Sequence, residues 1–286
     1  MSTAGRYLSL VKFSHTVFAL PFAMIGFSLA VLHAQQPFSW ALLGKVLLCM
    51  VFARNAAMAF NRWLDRRFDA LNPRTAGREI PAGIIRPKHA LLFTVINGLL
   101  FTATTWFINR PCFYLSFIAL FVILFYSYTK RFTALCHLVL GLGLALAPLG
   151  AYLAVTGRFT LLPVLFSLAV FTWVAGFDII YALQDEAFDR SQQLRSIPAA
   201  LGVRRALAVS NLLHVCTALM VVAVGLLAPF GWIYWTGAAV FTGLLAYQHI
   251  LVKPGDLSRV NMAFANTNGA ASIIFSVFTI LSLILQ

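Results

Sequence analysis

Apolar residues run through this chain in long blocks, interrupted by turn residues and by short clusters of charge. A helix needs about 20 mostly apolar residues to cross a bilayer. Blocks of that length lie near 14–33, 40–60, 89–108, 112–129, 134–155, 161–182, 206–228, 231–252 and 262–285. The pattern predicts an all-α integral membrane protein with nine transmembrane helices, the chain 1–286 forming one polytopic unit. Pro111, Pro163 and Pro254 fall at span ends, where a missing N–H costs least, and a tight turn around Pro229 and Gly231 joins two spans. Pro21 and Pro148 fall inside spans and predict kinks. Gly141, Gly143 and Gly150 predict close helix–helix approach.

Composition narrows the class. Hydrophobic residues make up 61% of the chain and charged residues 10%, against about a quarter charged in soluble domains. The formal charge of +13 raises the question of nucleic acid. The basic residues, however, lie between apolar runs and form no soluble face, so nucleic acid is rejected as a partner and the lipid bilayer takes its place. The four cysteines show neither disulfide nor zinc spacing and read as small apolar packing residues. The first apolar run lacks a small-residue cleavage site and reads as a retained helix.

The basic residues also orient the spans. Arg6 and Lys12 precede the first span; Arg66, Arg67, Arg74, Arg78, Arg86 and Lys88 follow the second. Lys130 and Arg131 follow the fourth, Arg190, Arg195, Arg204 and Arg205 the sixth, and Lys253 and Arg259 the eighth. The opposite connections hold only Arg110 and Arg158. The asymmetry predicts a protein of the inner (cytoplasmic) membrane, with the N-terminus and the even-numbered connections cytoplasmic and the C-terminus outside.

The acids are distributed in an equally telling way. Of eight, Asp65, Asp69 and Glu79 lie in or near the second connection, and Asp178, Asp185, Glu186 and Asp189 near the sixth. Asn61, Asp65 and Asp69 are four residues apart and form one helical stripe. Asp178, Asp185 and Asp189, at offsets of 0, 7 and 11, return to within about 20° of one direction, with Tyr181 a turn away. A single helix from Trp40 to Asp69 would be about 45 Å long and would overshoot the roughly 30 Å apolar core. Its last turns would then stand in a central cavity open near the cytoplasmic face. Solvated helix ends explain one such stripe, but two on one membrane face hold most of the acid in the chain. Neighbouring carboxylates repel unless a cation lies between them. Their hard oxygens suit Mg²⁺, which shares its coordination with phosphate oxygens. The nearby arginines and lysines then neutralise the rest of a diphosphate.

NRWLDRRFD fits NxxxDxxxD, and DIIYALQDEAFD fits DxxYxxxDxxxD. Together they resemble the paired signatures of the UbiA superfamily of intramembrane prenyltransferases. The resemblance extends through KFSHTVFALPFA, NPRTAGREIPAG, YSYTKR and RSIPAALG. It is nearest to the 4-hydroxybenzoate polyprenyltransferase branch, including relatives in futalosine-route menaquinone synthesis. It implies Mg²⁺-dependent ionisation of an allylic polyprenyl diphosphate, attack by an aromatic ring carbon, loss of a ring proton and release of diphosphate. Fixed positive charge would stabilise the leaving group, and a low-water cavity would protect the carbocation.

The candidate metal ligands are Asn61, Asp65, Asp69, Asp178, Asp185 and Asp189, and the five aspartates are also the catalytic candidates. Arg54, inside a span and seven residues before Asn61, is a candidate contact for the anionic group of the aromatic acceptor or a partner for an aspartate. Lys12, Arg74, Arg78, Lys130 and Arg131 are candidate diphosphate contacts, against a plain positive-inside role. Tyr181 is placed beside a metal ligand or the acceptor pocket, and His15 near substrate, each against ordinary packing. Asn261, Asn266 and Asn268 line the cavity or join helices. The base that takes the ring proton is not assigned. The rival reading is a cation-coupled transporter, which would place polar groups at the bilayer midplane and repeat the fold internally.

Overall fold

The structure is a computed structural model that describes residues 3–11 and 18–285. Lys12 and His15 therefore lie outside the described residues. A short helix α1 (Thr3–Leu10) precedes α2 (Leu20–Ser28), which continues as a π-helical turn over Leu29–His33. Then come α3 (Trp40–Leu64), α4 (Arg66–Leu71), α5 (Pro87–Trp106), α6 (Arg110–Thr129), α7 (Cys136–Thr156) and α8 (Leu161–Ala182). A 3₁₀ turn (Leu183–Asp185) leads to α9 (Glu186–Ser191), α10 (Ile197–Leu201), α11 (Val203–Leu227) and α12 (Trp232–Leu251). A π-helical turn (Met262–Thr267) opens α13 (Asn268–Ile284).

Among the described residues, seven helices are long and apolar enough to cross a membrane. Two of the nine expected spans are missing from that set for identifiable reasons. The described part of the first, Leu20–His33, is shorter; at 1.5 Å per residue it reaches only about 21 Å. The other, α12, is 20 residues long, but Trp232, Tyr234, Trp235, Gln248 and His249 dilute its apolar character.

Ser39 caps α3 and Asn109 caps α6, each side chain accepting a backbone N–H. Prolines 87, 111 and 163 fall in the first turns of their helices, where no N–H is needed. Pro21 does the same for α2, so it opens the described helix and does not kink its interior. Pro148 does lie inside α7. Two glycines set the spacing of α7 to its neighbours. A Cβ on Gly26 would fall 2.0 Å from the Pro148 carbonyl oxygen, and one on Gly141 would fall 2.4 Å from that of Phe171. The two other glycines expected to bring helices together behave differently: Gly143 meets only the Ile123 side chain at 3.4 Å, and Gly150 meets nothing within 4 Å.

The main core joins α2, α8, α12 and α13 through Phe22, Phe166, Trp173, Phe241 and Phe275, all essentially buried. A polar pin crosses it. Trp173 Nε1 and Gln248 Nε2 both donate to Asn268 Oδ1, at 2.9 and 2.7 Å. Asn268 thus joins helices, one of the two roles expected for it. Buried polar groups of this kind are satisfied by one another because lipid offers nothing.

Candidate active site

Both acid motifs open onto one cavity of about 1000 Å³, lined by Asn61, Asp65, Asp69, Asp178, Asp185 and Asp189. Arg54, Arg74, Arg78, Lys130, Arg131 and Tyr181 line it as well. Away from the charges it runs along α3, α6 and α7 as an apolar arm reaching Ile108, Leu153 and Phe159. Gly143, Ala147 and Gly150 of α7 leave that arm wide.

The motif helices are less regular than their spacing suggests. The expected single helix over 40–69 breaks at Asp65, whose φ of −89° and ψ of 4° end α3 and begin α4. The four-residue ladder survives the break: Asp65 N–H donates to Asn61 O at 2.9 Å, and Asp69 N–H donates to Asp65 O at 2.8 Å. The stripe therefore holds together although the helix does not. The second motif is also interrupted, since Asp185 ends a 3₁₀ turn between α8 and α9. A 3₁₀ turn winds more tightly than the α-helix assumed for the 0, 7, 11 spacing.

Each of the five motif aspartates has a cationic or imidazole partner. Arg131 Nη2 meets Asp65 Oδ1 at 2.8 Å, Arg78 Nη1 meets Asp69 Oδ1 at 2.6 Å, and Lys130 Nζ meets Asp189 Oδ1 at 2.6 Å. Arg74 grips Asp185 with two nitrogens, Nε at 2.9 Å and Nη2, while its Nη1 donates to the Tyr181 hydroxyl at 2.9 Å. These contacts draw the two rows together. Asn72, three residues past Asp69, donates to Asp185 Oδ1 at 2.9 Å. Lys130 and Arg131, adjacent in sequence, take one aspartate from each row. Tyr126 lies in the electrostatic field of both Asp65 and Asp178.

Burial shapes the charge of the two groups at the cavity rim. Loss of water pushes the Asp65 carboxyl above its ordinary range, and the Arg131 guanidinium only partly offsets it. Burial opposes the charge on Arg74, but the Asp185 carboxylate outweighs it and holds the guanidinium above its usual value.

Asp178 differs from the rest: its partner is His137. His137 Nδ1 lies 2.7 Å from Asp178 Oδ2, and its Nε2 accepts the Ile197 backbone N–H at 3.3 Å. An accepting Nε2 leaves Nδ1 as the donor to the carboxylate. Ser196, beside Ile197, donates to Asp189 Oδ2 at 2.9 Å. His137 thereby ties the first aspartate of the second motif to the segment that holds the last. Arg54 donates to the Val11 carbonyl at 3.5 Å while facing the cavity. Asn61 Nδ2 donates to Asp65 Oδ2 at 3.2 Å.

Several cavity residues were not singled out by sequence. Arg62 is 5% exposed, its Nε has no hydrogen-bond partner among the described residues, and it lies in the fields of Asp69, Glu79 and Arg78. Glu79, His137, Asn72 and Tyr126 also line the cavity. Arg62 lies inside the first motif, but among five arginines in 61–83 nothing in the sequence marks which one turns inward.

No three His, Cys, Asp or Glu side chains among the described residues converge as a metal cage. Magnesium does not demand one, since it keeps several waters and takes one or two carboxylates plus substrate phosphates. Asp69 Oδ2 is buried with no hydrogen-bond partner among the described residues, a spare hard-oxygen donor on a cavity-lining side chain. The residues fit such an ion.

A family model described as the UbiA prenyltransferase family matches residues 19–275. The 4-hydroxybenzoate octaprenyltransferase of Aeromonas salmonicida (strain A449) is 32% identical over 241 residues, 84% of this chain and 82% of that protein. The apo structure of a UbiA homolog from Aeropyrum pernix K1 superposes with a TM-score of 0.84 at 33% identity, covering 93% of this chain and 97% of that one. A UbiA homolog from Archaeoglobus fulgidus bound to GPP and Mg²⁺ shares the fold, with a TM-score of 0.74 at 21% identity over 97% and 99% of the two chains. Two acid motifs over one cavity, in a helical fold matched along nearly its whole length, place this chain in the UbiA prenyltransferase family.

Proposed function

We propose that this protein transfers a polyprenyl group from an allylic polyprenyl diphosphate to a ring carbon of a 4-hydroxybenzoate-like or dihydroxynaphthoate-like aromatic acid, in quinone biosynthesis. The observation that carries the reading is the joining of the acid rows: Asn72 and Arg74 reach Asp185 from beyond the first motif, and Lys130 and Arg131 divide their pairing between the rows. The Aeromonas relative is named for octaprenyl transfer to 4-hydroxybenzoate, and the Archaeoglobus homolog is bound to GPP and Mg²⁺. Nothing comparable supports cation transport.

Seven apolar helices, with Leu20–His33 and Trp232–Leu251, make up the nine spans of this reading. The site faces the cytoplasm and the C-terminus lies outside, as the basic connections indicate. Asn61, Asp65 and Asp69 form one metal half-site, and Asp178, Asp185 and Asp189 the other. Bound Mg²⁺ supplies charge that offsets the negative charge growing on the departing diphosphate. With the aspartates holding metal, Arg74, Arg78, Lys130 and Arg131 would bind phosphate oxygens, which suit guanidinium forks and ammonium donors. The apolar arm takes the polyprenyl tail. The ring of Tyr181 stacks on Phe264 at 4.1 Å and lies under the Arg74 guanidinium at 5.2 Å, which holds Arg74 beside the diphosphate site of this reading. Arg54, on the same cavity wall, receives the acceptor's carboxylate. Lys12, outside the described residues, is a further diphosphate contact in this proposal.

The test is product mass after incubating purified protein with geranyl diphosphate, Mg²⁺ and a panel of phenolic and dihydroxynaphthoic acids. Prenylated acid is expected for at least one acceptor. Asp65→Asn and Asp185→Asn should each abolish turnover while membrane insertion persists; wild-type rates in both would remove the acid rows from the mechanism.

A further inference from the structure

The geometry points to Glu79 as the base that takes the proton from the aromatic ring. The inference rests on the prenyltransferase reading above. Glu79 lies in the loop between α4 and α5, held there by its own carbonyl, which accepts the Ile85 N–H at 2.9 Å. Its side chain is 8% exposed and lines the cavity. Oε1 accepts the hydroxyl of Ser9 in α1. Oε2 is buried and has no hydrogen-bond partner among the described residues. A carboxylate that only clamped α1 to the loop would use the one oxygen and leave the other to water or a second donor. Here the second oxygen, buried on a side chain of the cavity wall, is unused by any described residue, at a cost the fold bears without local return.

The other carboxylates on the cavity wall are poor candidates. Asp65, Asp69, Asp185 and Asp189 are each paired with arginine or lysine, and Asp178 is bonded to His137. A carboxylate committed to a cation or a metal has little basicity left. Glu79 takes part in no ion pair among the described residues. Arg62, whose field reaches Glu79, is itself buried with Nε unpartnered. Carboxylate and guanidinium, both on the cavity wall, thus each keep spare hydrogen-bonding capacity. That pairing suits an acceptor whose reacting ring C–H neighbours a polar substituent.

In the step itself the allylic C–O bond breaks and its electron pair leaves with the diphosphate. A ring carbon's π electrons form the new C–C bond to the allylic carbon. The proton on that ring carbon passes to Glu79 Oε2, and its bonding pair restores aromaticity. The protonated Glu79 then loses the proton to water.

Glu79→Gln keeps the shape and an oxygen for Ser9 but cannot take a proton. Its effect is measured with geranyl diphosphate, Mg²⁺ and whichever of 4-hydroxybenzoate or a dihydroxynaphthoate the wild type turns over, carrying hydrogen or deuterium at the reacting carbon. We expect kcat to fall by about 100-fold or more, the usual size of general-base catalysis, with KM for geranyl diphosphate unchanged. Deuterium should then slow the variant more than it slows the wild type, because proton removal has become limiting. Ser9→Ala, which cuts only the clamp, should retain most activity. A Glu79→Gln variant within about twofold of wild type, or one with no added isotope effect, overturns the inference. So does an equal loss in Ser9→Ala with a matching fall in melting temperature, which would make Glu79 structural. If the wild type itself prenylates neither acceptor, the functional reading fails and takes this inference with it; if only the Glu79 results fail, the reading stands.

Discussion

The cavity wall has an economy of charge that is visible only residue by residue. Four aspartates and four cations neutralise one another without substrate. Removing one partner would leave the other half-buried and uncompensated, which is far costlier than removing both. The acid rows themselves could be read from sequence because a four-residue step keeps side chains on one helical stripe even across the break at Asp65. Arg62, Glu79 and His137 could not, because what distinguishes them is burial and partnership. His137 stands 41 residues from Asp178 in sequence and touches it only through the α7–α8 packing. Its replacement tests that contact. His137→Phe removes a donor from Asp178 and an acceptor from the Ile197 N–H, and should cost about 1–3 kcal/mol of stability per unmet buried group. His137→Asn can still donate to Asp178 and should recover part of the loss, read as melting temperature in detergent. Equal melting temperatures for all three proteins would show that the His137 contacts carry no weight.

At the scale of elements, apolar block length located the helices well, while their ends and interruptions required the folded chain. The turn at Leu183–Asp185 and the break at Asp65 both fall inside acid motifs, where side-chain pairing competes with helical regularity. Pro21 read as an interior kink because the apolar block begins before it, yet proline is best tolerated in a helix's first turn, where it lies. The glycines of α7 looked alike in sequence and separate in space. Gly26, opposite Pro148, was not anticipated, and it leaves the least room of all the close contacts on α7. Gly26→Ala should therefore force α2 from α7 and cost about 1–3 kcal/mol as an overpacked contact. Gly150→Ala, with open space around it, should leave the melting temperature within error of wild type. The same fall in both variants would contradict the packing described.

For the whole molecule, a charged end and an apolar arm within one cavity match a substrate with a diphosphate head and a hydrocarbon tail. Gly150 lies on that arm, so Gly150→Phe should shorten the longest polyprenyl diphosphate accepted while geranyl diphosphate still reacts. Product chain length from a donor series reads this out, and an unchanged range would move the tail elsewhere. The central claim is that the two carboxylate rows act together on one metal–diphosphate head group. It is tested most directly by Mn²⁺ binding followed by electron paramagnetic resonance, with geranyl S-thiolodiphosphate as a donor that resists ionisation. The account predicts that this analogue makes Mn²⁺ bind with phosphorus coupling, and that Asp65→Asn and Asp185→Asn each abolish that signal although they lie on different helices. Full retention of the phosphorus-coupled signal in either variant would contradict it.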